Sequence, residues 1–263
     1  MATILDKIIA EKRKEVLHLH QNKQMIQRRN GPIRSFLQKL EDATELSIIA
    51  EFKRASPSKG IINEGIEPVQ QAVIYEKAGA AAISVLTDSP FFKGSFTDLK
   101  AVREKVDIPI LCKDFVIDPI QIDIAAANGA DLILLIVAAL KEEQLMDLFH
   151  YAKSKGLEVL VEVHNLAELE TAVKTGAKLI GVNNRDLKTF HVSLGITEQL
   201  APIVKQYGAY LISESGIHKQ EDAERVRNVG ARGVLVGESL MISQDVNKSF
   251  LNLRIRLKGA VNK

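Results

Sequence analysis

Eight short apolar runs, each separated from the next by an amphipathic stretch, restrict the folds open to this chain more than any other feature. The runs span residues 47–53, 81–86, 108–113, 132–137, 158–163, 179–183, 209–213 and 233–236. They lack the strict alternation of half-exposed strands, and such continuous apolar character belongs to strands covered on both faces of a parallel sheet. Helical periodicity fills the gaps, clearest at 69–78, 120–128, 142–155, 166–175 and 220–229. Gly79, Gly129, Gly156, Gly176 and Gly230 each fall where a left-handed C-terminal cap would stop a helix. Strands alternating with helices form βαβ units, and eight of them suit a closed TIM (β/α)8 barrel of the α/β class. A doubly wound open sheet is the alternative. It seldom runs to eight regular units, and no Gly-x-Gly-x-x-Gly follows the first strand.

Residues 1–46 follow a different pattern. Ile4, Leu5, Ile8, Ile9, Lys12 and Val16 set a helical stripe, with Thr3 and Asp6 placed as a partial capping box. A break at Asn30-Gly31-Pro32 precedes a second short helical pattern through Phe36, Leu37 and Leu40. This segment reads as an N-terminal helical extension too small for a core of its own, so residues 1–263 are expected to form a single domain. The 46% apolar content is enough for a sizeable core, and a net charge of +2 points to neither a nucleic-acid partner nor a membrane surface. The longest apolar run, Leu132 to Leu140, is nine residues, against roughly twenty for a membrane helix. The lone Cys112 and the absence of a secretory or transit pattern fit a soluble, cytoplasmic protein.

In such a barrel, sites form at the C-terminal ends of the strands. Residues two apart on a strand share a face. Glu51 and Lys53 therefore point together from the first strand, Lys113 follows Leu111 on the third, and Glu162 follows Leu160 on the fifth. Asn183 ends the sixth, and Glu214 with Ser215 ends the seventh. Two lysines, three carboxylates and an asparagine are thus expected to converge in one mouth. That set suits acid–base chemistry better than a ring of structural ion pairs. Cys112, out of phase with them, should face the helices as a small buried apolar residue.

Phosphate commonly binds in the loops after strands seven and eight, here around Gly216 and Gly237. Glu238 would repel a phosphate, so its carboxylate is expected to turn away and leave only its amide. The loop 54–60 carries turn residues and suits a lid. Phe92 and Phe115 lie just beyond strands two and three, and with Leu134 they offer a slot for a flat ring.

Five runs of residues resemble the indole-3-glycerol-phosphate synthase family: Ile49-Ala50-Glu51-Phe52-Lys53-Arg54-Ala55-Ser56-Pro57-Ser58-Lys59-Gly60, Leu111-Cys112-Lys113-Asp114-Phe115, Val161-Glu162-Val163-His164, Asn183-Asn184-Arg185-Asp186-Leu187 and Ser213-Glu214-Ser215-Gly216-Ile217. The resemblance covers essentially the whole chain. It implies a lyase of tryptophan biosynthesis that closes, decarboxylates and dehydrates 1-(2-carboxyphenylamino)-1-deoxyribulose 5-phosphate. It implies no cofactor and no metal, a small phosphorylated substrate as the partner, and a monomer. By the same resemblance Lys113 is the general acid and Glu162 the general base. Lys53 contacts the substrate carboxylate or phosphate, and Glu51 orients Lys113 or the anilino nitrogen. Asn183, Glu214 and Ser215 position the substrate, and Arg185 ties the pocket wall together. Phosphate is expected near Ser56, Gly216, Gly237 and the Glu238 amide, with Lys53 close by. A phosphoribosylanthranilate isomerase would need a cysteine at the end of strand one, where Glu51 and Lys53 stand. A Schiff-base aldolase and a non-catalytic phosphate-binding barrel are the remaining alternatives.

Overall fold

The computed structural model describes residues 3–21, 29, 31–63 and 65–258. Eight parallel strands form a closed barrel: β1 (Ser47–Phe52), β2 (Ala82–Leu86), β3 (Ile110–Lys113), β4 (Leu132–Ile136), β5 (Glu158–Val163), β6 (Leu179–Asn183), β7 (Tyr210–Glu214) and β8 (Gly233–Val236). Each pairs with its neighbours in sequence, and β1 closes the ring through Ile49↔Ala82 on one side and Ile49↔Leu235 on the other. The eight predicted runs all become strands, three with unchanged ends and the others with ends moved by one or two residues. The shift is largest at β3, where Ile108 and Pro109 stay outside the ladder.

Helices α1 (Ile4–Gln21) and α2 (Phe36–Asp42) precede the barrel. Around it run α3 (Pro68–Ala78), α4 (Phe96–Arg103), α5 (Pro119–Ala127), α6 (Glu142–Ser154), α7 (Leu166–Lys174), α8 (Gly195–Gln206), α9 (Gln220–Asn228) and α10 (Val246–Leu253). All five predicted capping glycines take positive φ, between 75° and 109°, a region in which a side chain is strained.

Alternation along the strands divides the core in two. Ile48, Ala50, Ile83, Cys112, Val161 and Val182 face outward and pack under the helices. Ile49, Leu111, Leu134, Leu160, Ile212 and Leu235 face the axis. The helical extension is used at both ends of this axis. Phe36 and Leu40 of α2 are fully buried against the inner cluster and plug the N-terminal end of the barrel. The Glu158 carboxylate at the start of β5 accepts from the Phe36 and Leu37 amides at 2.9 and 3.1 Å, so it caps the start of α2. Helix α1 lies at the opposite end, where Ile4, Leu5 and Ile8 line the mouth. Its Lys12 is 1% exposed and grips Asp114 at 2.8 Å, Glu15 at 2.8 Å and Asp88 at 3.1 Å.

The fully buried Asp131 accepts from Arg29, Arg103 and the amides of Arg34 and Ile110, all within 2.9 Å, at the start of β4. Removing one partner of a buried pair leaves the other charge uncompensated. Asp131→Ala should lower unfolding stability by about 3–5 kcal/mol, read from urea denaturation, with kcat at low temperature unchanged because the residue lies at the end of the barrel away from the mouth.

Candidate active site

Strand phase decides which side chains meet at the mouth. Glu51 and Lys53 continue the inward face of Ile49, Lys113 that of Leu111, Glu162 that of Leu160, and Glu214 that of Ile212. Ladder register then sets their heights. Asn183 stands opposite Glu214, and Leu86 opposite Lys113. All of these side chains line one cavity of about 170 Å³, together with Ser56, Phe92, Phe115, Leu134, Arg185, Ser215 and Glu238.

Lys113 is the hub. Its ammonium donates to Glu214 at 2.6 Å and to Glu162 at 3.0 Å. Burial by itself would lower its pKa. The Glu162, Glu214 and Glu51 carboxylates outweigh that and hold its pKa well above the ordinary lysine range. An ammonium has three donors, so two are used and the third has no partner among the described residues.

The two carboxylates on Lys113 are not equivalent. Glu162 also accepts from the Asn183 amide at 3.2 Å and faces His164 Nε2 at 3.4 Å. Burial opposes its charge, but Lys113 and His164 overcome that and keep it well below the usual carboxylate range. Glu214 is pushed up, first by burial and then by the charge of Glu162, with Lys113 opposing. Its Oε1 is buried without a hydrogen-bond partner among the described residues and points at Gly181, where a Cβ would lie 2.1 Å away. Gly181 therefore makes the space that Glu214 occupies.

On the opposite wall Lys53 donates to Glu51 at 2.6 Å. A Cβ on Gly237 would stand 2.6 Å from Glu51 Oε1, so this glycine gives Glu51 its place. The Phe92 and Phe115 rings lie 5.9 Å apart, tilted by 35°. With Leu134 and the Ile4, Leu5 and Ile8 side chains of α1 they make an apolar wall.

The loop after β1 folds back as a small hairpin, Ala55–Ser56 against Gly60–Ile61. Arg54 fixes its base by a two-pronged contact with Asp98, at 2.5 and 3.1 Å. Lys59 reaches across to Glu238 at 3.2 Å. The loop after β7 is held by Asn184, which is fully buried. Its amide donates to Ser213 Oγ and to the Glu214 and Ser215 carbonyls at 2.9–3.0 Å, and it accepts from the Thr197 hydroxyl at 2.8 Å. Ser215 is thereby held at φ +63°. Among the described residues no three His, Cys, Asp or Glu side chains are grouped as a metal would require, and no helix is long and apolar enough to cross a membrane.

A sequence profile for indole-3-glycerol phosphate synthase matches residues 5–253. The chain belongs to the indole-3-glycerol phosphate synthase family. An indole-3-glycerol phosphate synthase of Bacillus cereus (strain G9842) is 49% identical over 257 residues, covering 98% of this chain and all of the relative. One of Oceanobacillus iheyensis is 51% identical over 255 residues, covering 97% and 98%. A crystal structure of 3-hexulose-6-phosphate synthase superposes with a TM-score of 0.60 at 16% identity, covering 80% of this chain and 98% of that one. At that identity the likeness speaks for the barrel alone. Indole-3-glycerol phosphate synthases are carboxy-lyases of tryptophan biosynthesis, and this chain is a lyase of that family.

For this indole-3-glycerol phosphate synthase family member, several sequence expectations can be placed. Glu51, Lys53, Lys113, Glu162, Asn183, Glu214 and Ser215 all meet in the cavity. Two differ in detail. Glu51 is bonded to Lys53 and not to Lys113, which it influences only through its field. Gly216 and Gly237 stand behind the wall, which their neighbours Ser215 and Glu238 form. Gly216 adopts φ +85°, and a Cβ there would press on Val192 at 2.7 Å. The Glu238 carboxylate pairs with Lys59 and lines the cavity. Cys112 faces the helices, and burial followed by Asp114 pushes its thiol up to about 12.

Sequence reasoning missed four contributors: α1, Leu187 and Phe190 in the β6 loop, the Asn184 clamp, and His164. For Asn184 and His164 the signal was their place within the family motifs. For α1 the apolar stripe was read, but its destination was not.

The His164 side chain lies between the Glu162 and Glu168 carboxylates. Burial opposes its charge, yet those two carboxylates raise its pKa from 6.5 to about 10. A raised folded-state pKa contributes stability that is complete below about pH 6.5 and is lost as pH rises toward about 10. Unfolding free energy should therefore fall between those limits, by at most about 1.4 kcal/mol per pH unit, and His164→Gln should flatten this decline in urea titrations.

Proposed function

We propose that the cavity binds 1-(2-carboxyphenylamino)-1-deoxyribulose 5-phosphate and converts it to indole-3-glycerol phosphate. The observation that carries this reading is the half-buried Lys113 ammonium, held between Glu162 and Glu214 with one donor left, facing an aromatic-lined slot across from a second lysine.

The benzoate ring is placed against Phe92, Phe115 and Leu134, with α1 closing over it. The ketone oxygen takes the third donor of Lys113. The ring carbon bearing the carboxylate attacks the ketone carbon, and negative charge develops on the oxygen. Lys113 supplies the proton there, so the ketone π pair becomes the hydroxyl bond. Carbon dioxide leaves and its bonding pair restores the aromatic ring. A proton from solvent recharges Lys113, and the new hydroxyl then departs as water with that ammonium as donor, while Glu162 removes the proton that completes the indole. Lys53 is assigned to the substrate carboxylate or phosphate, with Glu51 orienting it. Ser56, Ser215 and the backbone around Gly216, Gly237 and the Glu238 amide are assigned to the phosphate. Arg185 braces the wall, its amide bonded to Asn183 Oδ1 at 3.1 Å and its guanidinium to the Phe190 carbonyl at 3.4 Å. On this reading the enzyme acts in the cytoplasm as a monomer on one small phosphorylated substrate.

A single positioned acid or base typically contributes about 10²–10⁴-fold, and folding the sugar so that ring and ketone meet adds further through proximity. Lys113→Ala should lower kcat by about two to four orders of magnitude on this scale, while equilibrium dialysis still detects substrate binding. Indole fluorescence follows turnover directly, and an Ala variant with unimpaired turnover would refute the assignment.

A further inference from the structure

Two carboxylates grip the same lysine, yet only one is assigned as a base. Their surroundings differ in a way the reaction alone does not explain. Glu162 meets Lys113 from β3, the Asn183 amide from β6 and His164 from just beyond the end of its own strand. Glu214 from β7 meets Lys113 and the bare backbone of Gly181. His164 itself is 8% exposed and is held in place. Its amide donates to Glu168 Oε2 at 2.8 Å, and its Nδ1 lies 3.0 Å from the same oxygen. Glu168 is fixed in turn by Asn165, the cap of α7, whose amide donates to it at 2.6 Å.

We propose that His164 is a positioning residue that decides which of the two carboxylates on Lys113 is the base, by presenting a cationic Nε2 to Glu162 and none to Glu214. Glu168 keeps the imidazole charged and aimed, because its carboxylate occupies the Nδ1 side and leaves Nε2 directed at the site. Glu162 thus faces two cations and Glu214 one. A proton shared by closely coupled carboxyls goes to the member with the weaker positive surroundings, which is Glu214. The raised pKa of His164 and the opposite shifts of Glu162 and Glu214 agree with this placement. The 3.4 Å separation is an ion pair and not a hydrogen bond, since Nε2 has no partner of hydrogen-bond geometry among the described residues. His164 therefore acts on the charge of Glu162 without occupying the lone pairs that substrate needs.

This inference rests on Glu162 being the base, and the test separates the two. Nitrogen-15 NMR of the imidazoles in the whole protein reads His164 without any turnover. Both ring nitrogens should remain protonated through pH 8, and the midpoint should fall by at least one pH unit in Glu162→Gln and in Glu168→Gln. A wild-type midpoint near the ordinary histidine value overturns the inference alone. The kinetic arm compares kcat/KM against pH for wild type, His164→Gln and Glu168→Gln, with melting curves confirming folded protein. Loss of an opposing charge raises a carboxyl pKa by about one unit or more. The acid limb should therefore move up by about one unit, a loss of about tenfold in kcat/KM on that side, with KM changed less than about twofold. A purely structural role for His164 would leave the limb where it is, and that result also overturns the inference. Full activity in Glu162→Gln would instead overturn the base assignment, and this inference with it.

Discussion

Because the sheet closes on itself, every second residue of each strand must face the axis, where only the other strands can meet it. At the lower levels the answer is apolar: Ile49, Leu111, Leu132, Leu160, Leu179 and Ile212 fill the interior, and Phe36 and Leu40 seal its end. At the level of the mouth the same phase delivers Glu51, Lys113, Glu162 and Glu214. Charged groups this deeply buried are stable only when opposed by others. The closure that makes a packed core at one end makes a compulsory ion cluster at the other.

That cluster is assembled from strands far apart in sequence, so no local segment holds it. Lys113 and Glu214 are separated by 101 residues and meet at 2.6 Å. Each carboxylate then needs room, which two glycines supply. Gly181 yields to Glu214 and Gly237 to Glu51. These glycines serve the packing of charge, with Gly237 at φ −117°, a backbone conformation any residue adopts. Gly216 is different, since its φ of +85° and the closeness of Val192 both disfavour a side chain.

Much of this was legible in the sequence because period-two phase is local. Once Ile49 faces inward, Glu51 and Lys53 must follow, and the same holds for Leu111 with Lys113. Glycine caps were legible for a similar reason, since each closes a helix within its own turn. What phase does not carry is height around the ring. Whether Glu51 meets Lys113 or Lys53 depends on the stagger between β1 and β3, which no single strand encodes. The same limit hid the purpose of Gly237, whose neighbour Glu51 lies 186 residues away. It also hid the fate of the N-terminal stripe, because an apolar face states that it must be covered and not by what.

The two halves of that extension are fixed by different means. Helix α2 is held by apolar burial and by the Glu158 cap on its amides. Helix α1 crosses the mouth, where Ile4, Leu5 and Ile8 line an open cavity and the contact with it is not fully packed. Its anchor is Lys12, buried against Asp88 and Asp114 from the β2 and β3 loops and Glu15 from its own helix. Ion pairs tolerate an open cavity beside them in a way that interdigitated side chains do not, since Coulomb attraction falls off gradually while dispersion needs contact. Asp114 directly follows Lys113 and also accepts from Thr87 at 2.6 Å. The helix that walls the slot and the lysine that faces the slot are therefore secured through adjacent residues of one strand end. The position of the apolar wall and that of Lys113 are set together.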